Sequence, residues 1–517
     1  MHRDKRSLSL SRAKVFKCVQ LIAVSLRQGT SLKAKVLRGG TFLGAGSLLE
    51  QLARFARTMI LVRLIAPEAF GMMAVVLSTA SVVDTLTDLG AREAVVQHRE
   101  GDEPRYLYAA WWLTLARGLA LYIVIFATAP LVSRFYGNVE LSGLLRVALL
   151  SLVFGSSFSP SVNRAIKRME FSRLAMISHG GAIFGIAITI TMSIFVRNVW
   201  ALAIGYCSEN ASRCILSYVL LPSVPKQWIS REAFREVTKF SKGMFGLSFL
   251  NLIFSRADVF VLGKVCSASD LGIYTLAIYL VQTPVSFVMN LLGQTLLPAF
   301  SQISEDSQRT SRILYRVQSA IIGLGMPAVA LVLLYGRPML SSIYGFRYSK
   351  AAGPLAVAAF VAVLNLLNGQ ITTIFYALGR PHFHRISVAI MAGTMALVTY
   401  PFIKRFGLLG GQLACLLAIS LGYLYQLVRL HRTIELKIIR LAKVCLSLSL
   451  LSAFVGIVGM GLRQRWQVSA QLATLCFGIG SLILTYLLIA TILFGVRFGS
   501  QYATPTLDSY SHSEQST

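Results

Sequence analysis

The sequence predicts an all-α polytopic membrane protein of about fourteen transmembrane helices, arranged as two pseudo-equivalent six-helix lobes and a C-terminal helix pair. Three observations predict it: long apolar stretches, basic residues gathered in alternate loops, and an internal repeat. Of 517 residues, 55% are hydrophobic and 14% charged, whereas soluble domains carry roughly half and a quarter. A water-soluble fold is excluded on that balance. The formal charge of +29 then points to an anionic membrane face rather than to nucleic acid.

A bilayer core about 30 Å thick needs roughly 20 apolar residues in a helix, because only internally hydrogen-bonded backbone can cross it. Candidate spans fall at about 39–62, 69–89, 107–130, 141–162, 174–196, 199–221, 243–262, 271–297, 317–336, 352–378, 386–403, 408–428, 441–462 and 470–495. Lys and Arg concentrate in the tails and in the even-numbered loops, including 222–242 and 429–443. Short basic loops stay in the cytoplasm, so both termini are expected there and the number of crossings is even. The parts expected are a basic N-terminal tail (1–38), an N-terminal lobe (39–242), a C-terminal lobe (243–430), an additional helix pair (431–495) and a polar tail (496–517).

The two lobes follow from the repeat, since duplicated bundles build many transporters. The stretch Arg57-Thr-Met-Ile-Leu-Val-Arg63, continuing to Ala69-Phe70-Gly71, matches Asp258-Val-Phe-Val-Leu-Gly-Lys264, continuing to Asp270-Leu271-Gly272. Further on, Phe135-Tyr136-Gly137 matches Ile343-Tyr344-Gly345, and Val196-Arg197-Asn198 matches Lys404-Arg405-Phe406. Each copy holds an even number of helices, so both enter from the same side and enclose a cleft along the membrane normal. Pro130, Pro160, Pro284, Pro298 and Pro327 are expected mostly at span ends, with helix bending as the alternative.

Glu50, Arg54, Arg57, Asp84, Asp88, Arg117, Arg146, Glu209, Arg213, Arg256 and Asp258 lie inside the spans. At about 3 kcal/mol each, exposing all of them to lipid would cost on the order of 30 kcal/mol, so they must be paired or face water. Glu50, Arg54 and Arg57 share one helical face at i, i+4 and i+7; Asp84 with Asp88 and Glu209 with Arg213 are i, i+4 pairs. Two readings stand: ion pairs that lock the first lobe, or a polar cavity. In the second, Arg54, Arg57, Arg117, Arg146, Arg213 and Arg256 would bind a diphosphate or sugar, because the guanidinium fork fits phosphate oxygens. Glu50, Asp84, Asp88 and Asp258 would be candidates for a coupling ion, since buried carboxylates can take up protons. His382 and His384, following Gly379-Arg380-Pro381, are expected in a solvated loop. The seven dispersed cysteines show no Cys-x-x-Cys spacing, so neither metal nor cofactor is called for. No phosphate loop is present and no loop can house a catalytic domain, so the chain is read as a transporter, not an enzyme.

With this plan in view, Leu64-Ile-Ala-Pro-Glu-Ala-Phe70-Gly71, Asp88-Leu-Gly90, Arg256-Ala-Asp258 with Leu262-Gly263-Lys264, Leu271-Gly-Ile-Tyr274 and Leu378-Gly379-Arg380 resemble the Wzx-type oligosaccharide flippases. These belong to the multidrug, oligosaccharidyl-lipid and polysaccharide exporter superfamily. The resemblance covers residues 39–495. It implies a bacterial inner-membrane protein that carries a polyprenyl-diphosphate-linked oligosaccharide outward by alternating access, for exopolysaccharide, capsule or lipopolysaccharide synthesis. The partners it implies are the bilayer and the polysaccharide polymerase and export machinery. A peptidoglycan-precursor flippase and a cation-coupled antiporter of the same superfamily remain alternatives, with a membrane glycan polymerase further off.

Overall fold

The computed structural model describes residues 32–87, 95, 98, 101–225, 245–303, 305–434 and isolated positions from 443 to 480. Residues 1–31 of the expected tail 1–38, the expected tail 496–517, Asp88, and nearly all of the expected spans 441–462 and 470–495 lie outside the described residues; residues 32–38 are helical. Among the described residues there is no strand. The helices are α1 (Leu32–Leu64), α2 (Pro67–Thr87), α3 (Pro104–Tyr136), α4 (Glu140–Ala148), α5 (Leu150–Ser156), α6 (Ser161–Lys167), α7 (Phe171–Val196), α8 (Val199–Leu220), α9 (Phe245–Val265), α10 (Ala268–Gln302), α11 (Ser307–Ile343), α12 (Ala352–Ala377), α13 (Pro381–Phe406) and α14 (Leu408–Ile434). A 3-10 turn, Phe346–Ala351, precedes α12.

Eight of these, α2, α3, α7 and α10 through α14, are long and apolar enough to cross a membrane; the bent α4–α6 set makes a ninth. The first, sixth and seventh expected spans correspond to α1, α8 and α9, which carry most of the intramembrane charge. Expected span 141–162 is not one rod. Its last piece turns by 61° at the break between Ser156 and Ser161, where Pro160 caps α6. Prolines behave otherwise elsewhere, correcting the span-end expectation: Pro130, Pro284, Pro298 and Pro327 all lie inside continuous helices. Each removes one donor from a ladder otherwise intact, which a packed membrane helix tolerates. At 1.5 Å per residue the 37 residues of α11 extend about 55 Å, well beyond the hydrocarbon core.

The residues form two compact units, Met1–Thr275 and Leu276–Thr517. Helix α9, expected to open the second lobe, packs within the first unit against α2. There the repeated motif meets its own copy. A Cβ on Gly71 would strike the carbonyl oxygen of Ala268 and stand 3.0 Å from the Gly272 nitrogen; a Cβ on Gly272 would strike the carbonyl of Pro67 and stand 3.0 Å from the Gly71 nitrogen. Positions matched in the sequence thus face each other with near two-fold reciprocity, and only glycine fits at either. Another pair of repeat marks, Gly137 and Gly345, both take positive φ, 69° and 108°, a region open to glycine without a Cβ penalty, though only Gly137 is left-handed helical.

The second unit is built on the part of α10 from Leu276 and on α11 through α14, around Phe300, Leu314, Ile371, Ile374, Phe375, Leu427, Leu430 and Ile434. Pro381 starts α13, the first-turn position that costs no hydrogen bond. His382 and His384 therefore sit in a helical first turn rather than in the expected loop. His384 is half-buried, with its Nδ1 3.1 Å from Thr372 Oγ1 and 3.4 Å from Gln426 Nε2.

Candidate functional site

Helices α7 and α8 form an antiparallel hairpin whose close approach depends on small residues. Their facing positions run in steps of four: Gly181 against Arg213, Gly185 against Glu209, and Thr189 against Gly205. A Cβ on Gly185 would lie 2.7 Å from the Glu209 Cα, and one on Gly181 would lie 2.9 Å from the Arg213 nitrogen. Small residues at i and i+4 let membrane helices approach to backbone contact. Here they seat the Glu209 and Arg213 backbones directly on α7. The Thr189 hydroxyl returns to the Gly185 carbonyl at 2.6 Å, which satisfies it inside the apolar pair.

Helix α1 lies against α7 and completes a box of charges. Arg54 Nε donates to Glu50 Oε1 at 2.9 Å, while Nη1 and Nη2 donate to the two Glu209 oxygens at 3.3 and 2.5 Å. Arg213 Nη2 stands 2.8 Å from Glu209 Oε1 and 3.7 Å from Glu50 Oε1. The outer oxygen of Glu50 lies 2.6 Å from His179 Nδ1. The Nε2 edge of that imidazole rests on α1, where a Cβ on Gly46 would come within 2.8 Å of it. Two guanidinium groups thus face two carboxylates, and charge balances before the histidine is counted. Glu209 keeps only 8% of its side chain accessible, whereas Arg54 and Arg213 keep 22% and 24%. The arginines are therefore the members that an entering anion would reach.

Other predicted residues make further contacts. Arg57 is half-buried on the same face of α1 as Glu50 and Arg54. Arg117 Nη2 donates to Asp84, at 2.6 Å to Oδ1 and 2.7 Å to the carbonyl, joining α3 to α2. Arg146 stacks over the Phe126 ring at 4.3 Å, a cation–π contact. Arg256 is half-buried on α9. Asp258 Oδ2 accepts the hydroxyl of buried Tyr274 at 2.5 Å, linking α9 to the start of α10. Sequence reasoning missed His179. A lone histidine within the apolar stretch 174–196, beside Gly180 and Gly181, was the available signal.

Among known proteins, the chain is similar to the lipopolysaccharide biosynthesis protein WzxC of Escherichia coli, at 22% identity over 78% of this chain and 80% of that protein. It is similar to the succinoglycan biosynthesis transport protein ExoT of Rhizobium meliloti, at 23% identity over 59% and 62%, and to the probable flippase AglR of Haloferax volcanii, at 23% over 78% and 85%. Its fold matches the solved lipid II flippase MurJ with a TM-score of 0.72, at 15% identity, over 88% of this chain and 99% of that one. The likeness is one of helical fold. A sequence model of polysaccharide biosynthesis proteins matches residues 60–353, more than half of the chain, and the protein belongs to that family.

Proposed function

We propose that this protein is a flippase that moves a polyprenyl-diphosphate-linked oligosaccharide from the cytoplasmic to the outer leaflet of a bacterial inner membrane. One observation carries the reading: two arginines from separate helices, Arg54 and Arg213, share a partly accessible box inside an apolar bundle. A sugar–diphosphate–lipid carries one negative charge on each phosphorus. The guanidinium forks match those oxygens bidentately and stay charged when desolvated. The diphosphate would exchange for Glu50 and Glu209 as partner to the arginines, so the empty site never holds bare charge. Relatives named for lipopolysaccharide and succinoglycan biosynthesis support a glycan substrate over a small drug-like one, and over peptidoglycan precursor.

In this reading residues 39–242 and 243–430 act as two rocking lobes, both tails are cytoplasmic, and the lipid tail stays outside along 431–495. Arg57, Arg117, Arg146 and Arg256 attend the diphosphate or sugar along the route. Glu50, Asp84, Asp88 and Asp258 are the candidates for coupling, and the polymerase and export machinery receive the product. Deleting the gene should trap the lipid-linked oligosaccharide in the cytoplasmic leaflet; undiminished outward appearance of the glycan would sink the reading. In the same strain, Arg54→Ala should abolish export while membrane levels of the protein hold. Full export by that variant would remove Arg54 from the substrate path.

A further inference from the structure

The charge box has a feature that ion pairing alone does not require: a histidine at its edge, bonded to one carboxylate. With Arg54 and Arg213 against Glu50 and Glu209, the box is neutral while His179 is neutral. A neutral box is a poor site for a dianion, because the entering phosphates take the guanidinium groups and strand both carboxylates. Glu209 lies under the arginines at 8% accessibility, and among the described residues Arg54 and Arg213 are the cations bonded to it. Glu50 differs, since its Oε2 sits 2.6 Å from His179 Nδ1. Histidine is the side chain whose ordinary titration range spans neutral pH.

We infer that His179 and Glu50 together take up one proton when the diphosphate binds, so that the box changes from neutral to singly positive as the dianion enters. This rests on the diphosphate reading above and adds a residue and a proton to it. The balance is simple. A water or buffer acid gives up one proton, which forms an N–H or O–H bond on the imidazole–carboxylate pair; no other bond changes, and the proton returns to solvent when the substrate leaves. Among the described residues, the charged and titratable groups around the box are these, with Arg57 on the same face of α1 and Asp84 of α2 near Tyr206. From α1, Glu50 bonds the imidazole and Arg54 bonds Glu50; from α8, Glu209 and Arg213 join the same network, and Tyr206 interacts with Glu209 and Arg213. From α6, Arg164 and Lys167 reach away, to the carbonyls of Asp102 and His98. Arginine stays protonated throughout, and Glu209 is already held by three guanidinium nitrogens. Among the described residues the Nε2 atom is buried without a hydrogen-bond partner, against the backbone of Gly46, and is the ring nitrogen left for the added proton when Nδ1–H faces Glu50.

The test uses the full-length protein in lipid nanodiscs and a diphosphate esterified at both phosphorus atoms with ethyl groups, which is a permanent dianion near neutral pH. Isothermal titration calorimetry in buffers of different ionisation enthalpy counts protons taken up per ligand bound. Wild type should take up about one at pH 7.5, and its affinity should fall about tenfold from pH 7 to pH 8, the slope that uptake of one proton demands. His179→Gln should bind with no uptake and a flat pH profile. A loss of structure alone would lower affinity without flattening that profile. Should His179→Gln fail to fold, Glu50→Gln serves instead; its box is already positive, and it should bind more tightly than wild type at pH 8. Binding to wild type without proton uptake, equal uptake by His179→Gln, or weaker binding by Glu50→Gln at pH 8 would overturn the coupling alone. Absence of any binding to wild type would overturn the diphosphate reading as well.

Discussion

Glu209→Gln isolates the energetics of the charge box, because the change keeps the shape of the side chain and removes only its charge. Glu209 is the most buried member and accepts from Arg54 at 2.5 and 3.3 Å, with Arg213 at 2.8 Å. Breaking a buried pair by removing one partner costs about 3–5 kcal/mol, mostly from the stranded charge. Both arginines are roughly a quarter accessible and Glu50 still partners them, so water and the remaining carboxylate recover part of the loss. The low end, about 3 kcal/mol, is the expected cost. For a cooperative unit of more than about 200 residues each kcal/mol moves the melting temperature by about 2 °C, giving a drop of about 6 °C. Melting followed by intrinsic fluorescence in nanodiscs measures it. Adding Arg213→Gln to the first change should cost at least 1 kcal/mol less than the two single losses together, since the two groups share one network. A Glu209→Gln protein that melts within about 1 °C of wild type, or a strictly additive double variant, would refute the claim that these four charges form one energetic unit.

Two further outcomes follow from the helix contacts. Gly185→Val places branched carbon against the Glu209 backbone and should pry α7 from α8, at a cost above the 1–3 kcal/mol usual for overpacking; cysteine accessibility at Cys214 should rise in parallel, and unchanged labelling would contradict it. Gly71→Ala and Gly272→Ala each drive a methyl into a backbone carbonyl of the opposite copy. Both should lower export and melting temperature, and by similar amounts, because the clash is reciprocal; loss from one position alone would break the local two-fold.

The sequence by itself determined the fold class, the approximate positions of most helices between residues 39 and 434 and the match of Gly71 with Gly272, because each depends on local chemistry. An apolar run long enough to cross lipid must close its own hydrogen bonds, and a glycine that ends a helix at positive φ marks itself by being glycine. The i, i+4 spacing of Glu50 with Arg54, and of Glu209 with Arg213, likewise showed pairs within one helix. What the sequence could not show is that these two pairs are one object. That depends on Gly46, Gly181 and Gly185, which bring α1, α7 and α8 close enough for Arg54 to reach across 155 residues of chain to Glu209. The same tertiary contacts set His179 beside Glu50; other contacts give Arg117 to Asp84 and Arg146 to Phe126, and the 141–162 rod is a bent set. Periodicity fixes which residues share a face of one helix, whereas the partner of that face is chosen by packing between helices distant in sequence.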